Sequence, residues 1–158
     1  MGNTAGNDLT SGANNIFQGV GAGGNATTAN YSIAIGYSAI GIGILTGTDN
    51  VAIGNLSGQD LTSGTYNNFM GYGAGANVTT GSYNVLQGYK AGLNATTASN
   101  TVAIGNTAIG LGILTGDDNV AIGRLAGNDL TSGTYNFIGG YAAGSNATTA
   151  SNTVAIGN

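Results

Sequence analysis

At 158 residues, read as one repeat domain spanning 1–158, the chain uses a narrow alphabet: 31 Gly, no Pro, Cys, His, Trp or Glu, and 5% charged residues, against about 25% in an average soluble domain. Six Asp against Lys90 and Arg124 give a net charge of −4 without a basic patch, which excludes nucleic-acid binding through phosphate contacts. The 41% hydrophobic content recurs in phase, which excludes disorder, and collagen is excluded by the lack of Pro and of Gly at every third residue.

Taken in chain order, the expected elements are short apolar strands, each closed by a glycine. Loose copies end at Gly19 and Gly36, and the sharpest form follows as Val51-Ala52-Ile53-Gly54. Further loose copies end at Gly71 and Gly88, before Val102 to Gly105 and Val120 to Gly123 restore the sharp form. A loose copy at Gly140 and a sharp one at Val154 to Gly157 complete the series. Steps along these nine glycines are 17, 18, 17, 17, 17, 18, 17 and 17, and Gly2 lies another 17 before Gly19. Periods of this size mark a stacked repeat architecture.

Other positions keep the beat. A small residue stands three after each marker glycine, as in Ala22, Ala39, Ser57 and Ala74. Asn stands four before it in six of nine copies: Asn15, Asn50, Asn67, Asn84, Asn119 and Asn136. Asn or Asp stands six after in all but the two 18-residue units, where Ile40-Gly41-Ile42-Gly43-Ile44 and Ile109-Gly110-Leu111-Gly112-Ile113 replace the polar turn.

This pattern predicts an all-β fold, a parallel β-solenoid or β-roll of nine 17–18-residue coils. Strand residues advance about 3.3 Å and neighbouring strands lie about 4.8 Å apart, so each coil has room for two or three strands of four to five residues. Gly fits the corners, and Asn at one coil position can form a side-chain ladder. High Gly content and many β-branched residues oppose helices. The strand Val51-Ala52-Ile53 and its copies Val102-Ala103-Ile104 and Val120-Ala121-Ile122 are apolar throughout. Successive strand side chains point to opposite faces, so one face fills the coil and the other calls for an external partner. These nine residues are the expected assembly strand, and further copies of the chain are the expected partner.

On these motifs the chain resembles the head repeats of trimeric autotransporter adhesins, with a Val-Ala-Ile-Gly-like strand, a small residue soon after it and Gly- and Asn-rich turns. Gly71-Tyr72-Gly73-Ala74-Gly75 is also similar to repeats of phage tail fibres. The resemblance covers Gly2 to Asn158. It implies a left-handed roll, three chains packed about one axis through the strand, and an extracellular role as a rigid fibre or adhesin head on a cell surface or virion. A host surface protein or glycan is the implied partner.

Catalytic chemistry has few candidates. Without His and Cys there is neither a Ser-His-Asp triad nor a thiol nucleophile nor a common transition-metal ligand set, so no enzyme activity, cofactor or metal is expected. Asp8, Asp60 and Asp129 share one turn position, and turn capping accounts for them. No apolar stretch approaches the roughly 20 residues that span a bilayer, so no membrane insertion is expected. Tyr37, Tyr72, Tyr89 and Tyr141 each follow a marker glycine and should line one edge, a possible ligand or partner surface. Asn25, Asn77, Asn94 and Asn146 head Asn-x-Thr sequons, as Asn30 and Asn55 head Asn-x-Ser ones, and these are candidate glycosylation sites. Thr pairs at 27–28, 79–80, 96–97 and 148–149 suggest a glycan- or ice-binding array interrupted at Ile44-Leu45 and Ile113-Leu114. A further alternative is a filament subunit stacking head to tail, because the repeat phase at Gly2-Asn3 continues that at Gly157-Asn158.

Overall fold

The computed structural model describes residues 2–158. Nine parallel strands form one sheet in chain order: β1 (Ile16–Gln18), β2 (Ile33–Ile35), β3 (Val51–Ile53), β4 (Asn68–Met70), β5 (Val85–Gln87), β6 (Val102–Ile104), β7 (Val120–Ile122), β8 (Phe137–Gly139) and β9 (Val154–Ile156). Each strand residue pairs with its equivalent one coil on, as in Val51↔Asn68, Ala52↔Phe69 and Ile53↔Met70. The 18-residue steps keep the same register, with Ile33↔Val51 and Val102↔Val120. The fold is the β-solenoid that the repeat predicts.

Each coil holds one strand of three residues, not the two or three longer strands expected. Backbone conformation explains the difference. Positive φ recurs at four positions of every coil: five before the marker glycine, at the glycine itself, and two and four after it. Around Gly71 these are Tyr66 at 57°, Gly71 at 132°, Gly73 at 61° and Gly75 at 59°. Left-handed residues interrupt any extended run, so most of the coil is turn. Hydrogen bonding between coils nevertheless continues through the turns. The amides of Gly58, Asp60 and Thr62 donate to the carbonyls of Ala74, Ala76 and Thr79, each at 2.9 Å. Thus the backbone is satisfied by stacking even where it is not extended.

The strict marker glycine has a twofold cause. Its φ lies between 119° and 136° in all nine coils, a region that L side chains avoid. A Cβ at Gly71 would also run into the carbonyl of Gly88 in the next coil, and the same holds at Gly54 and Gly88. Any side chain there would push the coils apart.

The interior closes within one chain, and large and small residues alternate to fill it. The central strand residue points inward: Ala34, Ala52, Phe69, Leu86, Ala103, Ala121 and Ile138 are buried. Four residues after the marker stands its complement. Phe69 and Leu86 face Gly75 and Gly92, where a Cβ would press on those side chains, and Ile138 faces Gly144, where a Cβ would only touch it. Ala34 and Ala103 are instead accompanied by buried Ile40 and Ile109. Both isoleucines have φ of 46°, which is costly for a β-branched residue. The volume they restore beside the strand alanines offsets that cost. Leu45, Leu61, Val78, Leu114 and Leu130 close the core on the other side.

The expected asparagine ladder is present and buried. Asn67 Nδ2 donates to Asn50 Oδ1 at 3.1 Å, and Asn84 Nδ2 to Asn67 Oδ1 at 3.0 Å. Asn136 Nδ2 donates to Asn119 Oδ1 at 2.9 Å. Each amide also reaches a backbone carbonyl in the coil ahead, as Asn67 does to Gly81 at 2.9 Å and Asn84 to Ala98 at 2.8 Å. Ser32 and Thr101 occupy this position where the 18-residue coils begin, and the side-chain ladder breaks there.

Candidate assembly and recognition surface

Outward strand positions form two parallel columns. The first holds Ile16, Ile33, Val51, Asn68, Val85, Val102, Val120, Phe137 and Val154; the second holds Gln18, Ile35, Ile53, Met70, Gln87, Ile104, Ile122, Gly139 and Ile156. No charged residue occurs in either. Ile53 is 36% exposed, Ile122 43% and Ile16 53%, although each sits in the regular part of its coil. Of the nine assembly-strand residues expected from sequence, Val51, Ile53, Val102, Ile104, Val120 and Ile122 flank the strand centre and line these columns. Ala52, Ala103 and Ala121 are fully buried. They belong to the chain's own core because the strand's two-residue alternation turns them inward.

Two tyrosine columns bound the strand. Tyr37, Tyr72, Tyr89 and Tyr141 are exposed one residue after the marker, as expected. Tyr72 and Tyr89 stack with ring centroids 5.4 Å apart. Both cations of the chain lie against this column: Lys90 Nζ is 5.3 Å from the Tyr89 centroid, and the Arg124 guanidinium is 4.9 Å from that of Tyr141. A second column, Tyr31, Tyr66, Tyr83 and Tyr135, runs before the strand and was not anticipated. Its residues hold φ between 54° and 61°, and Tyr66 stacks on Tyr83 at 5.1 Å. The signal was available in the repeat, since Tyr, Asn or Asp stands five before every marker glycine.

The threonine row corrects the expected interruption. Thr10, Thr62, Thr79 and Thr131 each donate Oγ1 to the carbonyl of the threonine in the next coil at 2.8–3.0 Å. In the longer coils Leu45 and Leu114 turn inward, and Thr46 and Thr115 continue the row at 3.4 Å. These six hydroxyl protons are spent on backbone carbonyls, whereas Thr27, Thr96 and Thr148 in the same row make no side-chain hydrogen bond and keep a free hydroxyl.

Polar turn residues are mostly engaged within the chain. Asn25 Nδ2 donates to Ile42 O at 2.7 Å, Asn77 Nδ2 to Asn94 Oδ1 at 2.6 Å, and Asn94 Nδ2 to Leu111 O at 3.1 Å. Asn146 is exposed and makes no side-chain hydrogen bond to the described residues, which leaves its amide nitrogen the most open of the four Asn-x-Thr sequons. Asp117 Oδ1 accepts the Ser99 amide at 2.7 Å. Among the described residues no three His, Cys, Asp or Glu side chains gather into a metal-binding group, no pocket opens, and no helix is long and apolar enough to cross a membrane. Comparison with protein-family models, curated proteins and solved structures found no match to this chain.

Proposed function

We propose that the chain is a non-enzymatic structural module of an extracellular fibre or adhesin head, in which copies pack side by side through the outward strand face. The observation that carries this reading is the charge-free, mostly aliphatic double column of exposed and half-buried side chains on a chain whose core is already closed. Eight inter-coil steps at about 4.8 Å make the face about 38 Å long, and the three strand residues of each coil make its apolar strip about 10 Å across. That strip of about 400 Å² reaches the ~800 Å² per partner of a stable interface only together with the tyrosine columns that flank it. A second copy presents the same inter-coil spacing and matches the face along its length. Three copies about a common axis is the arrangement supported by the resemblance to adhesin head repeats. Where copies leave them uncovered, the stacked tyrosines with their cations are the surface for a glycan or protein partner.

The test places carboxylates in the face. Ile53→Asp combined with Ile104→Asp should yield a folded monomer, because a buried unpaired charge costs several kcal/mol. Thr97→Asp, exposed half a coil from the strand, should leave assembly intact. Equal oligomer mass for both variants by light scattering would refute the assignment of the face.

A further inference from the structure

Tyrosines of the two flanking columns meet in pairs at only two places, both in the coils of β4 and β5. Tyr31, Tyr37, Tyr135 and Tyr141 have Asn, Asp, Val or Arg at the equivalent positions of the neighbouring coils. Tyr66 and Tyr83, by contrast, are equivalents in successive coils, as are Tyr72 and Tyr89. The first pair stacks at 5.1 Å between centroids with planes 10° apart, the second at 5.4 Å and 13°. All four side chains are exposed.

The backbone fixes this approach. Tyr66 and Tyr83 share a left-handed conformation, with φ of 57° and 61°, so their side chains leave the coils in the same direction. Tyr83 N–H donates to Thr65 O at 2.9 Å, and Lys90 N–H to Tyr72 O at 2.8 Å, which holds the coils together beside each pair. Rotation about χ2, a soft torsion in Tyr, turns one ring against the other without moving that backbone. Cys and Trp are absent, which leaves the phenols as the side chains most open to one-electron oxidation. Met70 reacts differently, by taking up oxygen to form a sulfoxide.

We infer that Tyr66–Tyr83 and Tyr72–Tyr89 are oxidative cross-linking sites, at which a haem peroxidase with hydrogen peroxide joins successive coils through dityrosine. Each phenol gives up one electron and one proton and becomes a phenoxyl radical, whose spin is shared with the ring carbons ortho to the oxygen. The two radicals couple through one Cε of each ring. A C–C bond forms, and both Cε–H bonds break as the rings regain aromaticity. The two electrons and two protons reduce one peroxide to two waters. Stacking makes this step intramolecular, and proximity of that kind raises coupling rates by orders of magnitude. Each link ties together residues 17 apart in sequence, a covalent restraint in a chain that has no Cys for a disulfide. Both pairs lie within one copy, so the inference does not depend on the proposed packing.

The experiment treats the folded chain with a haem peroxidase and hydrogen peroxide, separates single chains under denaturing conditions, and reads dityrosine fluorescence and intact mass. A dityrosine link removes two hydrogens, whereas Met70 sulfoxide adds one oxygen, so mass separates the two products. Single chains of wild type should lose up to four hydrogens, for two links. Tyr66→Phe and Tyr72→Phe should each lose at most two, and the double variant none, although it keeps the other tyrosines. Phe retains the ring, so each stack and the fold survive the substitution. Wild-type single chains without dityrosine would overturn the inference. So would a double variant whose single chains carry as much dityrosine as wild type, because coupling would then be independent of the stacked pairs.

Discussion

Removing one rung of the asparagine ladder is the sharpest probe of the fold. Asn67→Ala deletes four hydrogen bonds: Nδ2 to Asn50 Oδ1, Nδ2 to Gly81 O, and Oδ1 from both the amide and the side chain of Asn84. Two of the groups left behind recover at once. Asn50 Oδ1 still accepts the residue 67 amide, and Asn84 Nδ2 still reaches Ala98 O. The Asn84 amide and the Gly81 carbonyl lose the only partners they have. Each buried, unsatisfied group costs about 1–3 kcal/mol, so the loss should be about 4 kcal/mol. At this chain length about 1 kcal/mol moves Tm by about 2–4 °C, which puts the shift at about 8–16 °C. Urea and thermal unfolding followed by circular dichroism would measure it, at one fixed protein concentration. Asn55→Ala is the control, because Asn55 is exposed and makes no side-chain hydrogen bond. It should change stability by no more than about 0.5 kcal/mol. Equal stability of the two variants would show that the ladder contributes nothing and that the buried polar column is mere filling.

Phe69→Ala should cost about 3–5 kcal/mol by urea denaturation, because the glycines at 58 and 75 that flank the ring have no side chain to refill the space. Gly71→Ala should destabilise by more than about 4 kcal/mol, whereas Gly73→Ala should cost only about 1–2 kcal/mol for a left-handed alanine. At Gly73 the nearest atom to an added Cβ is 3.6 Å away, and Ala142 already holds the equivalent position at φ 53°. Similar losses for the two glycine variants would refute contact between coils as the cause of the marker repeat.

Much of this architecture was legible because the coil repeats its constraints. Gly71 and its equivalents are strict for a backbone reason, and Asn67 and its equivalents for a hydrogen-bonding one, so both left period-17 signals. The number of strands per coil was not legible. Leu56, Tyr66 and Lys90 adopt φ of 58°, 57° and 52°, and nothing in those residue types announces a left-handed conformation. Stacking of neighbouring coils imposes it, through bonds such as Tyr83 N–H to Thr65 O at 2.9 Å. The apolar run Ile40 to Leu45 was ambiguous for a related reason. Its ends, Ile40 and Leu45, are buried, while Ile42 and Ile44 between them are exposed. A short run of aliphatics gives no period by which to tell the two sets apart.

Side-by-side packing requires the outward columns of β1 to β9 to be covered by other copies of the chain. Sedimentation equilibrium of the purified protein at micromolar concentration measures this most directly. One species at three times the 15.3 kDa chain mass, unchanged on tenfold dilution, is the predicted result. A folded, stable monomer across the same range would contradict it.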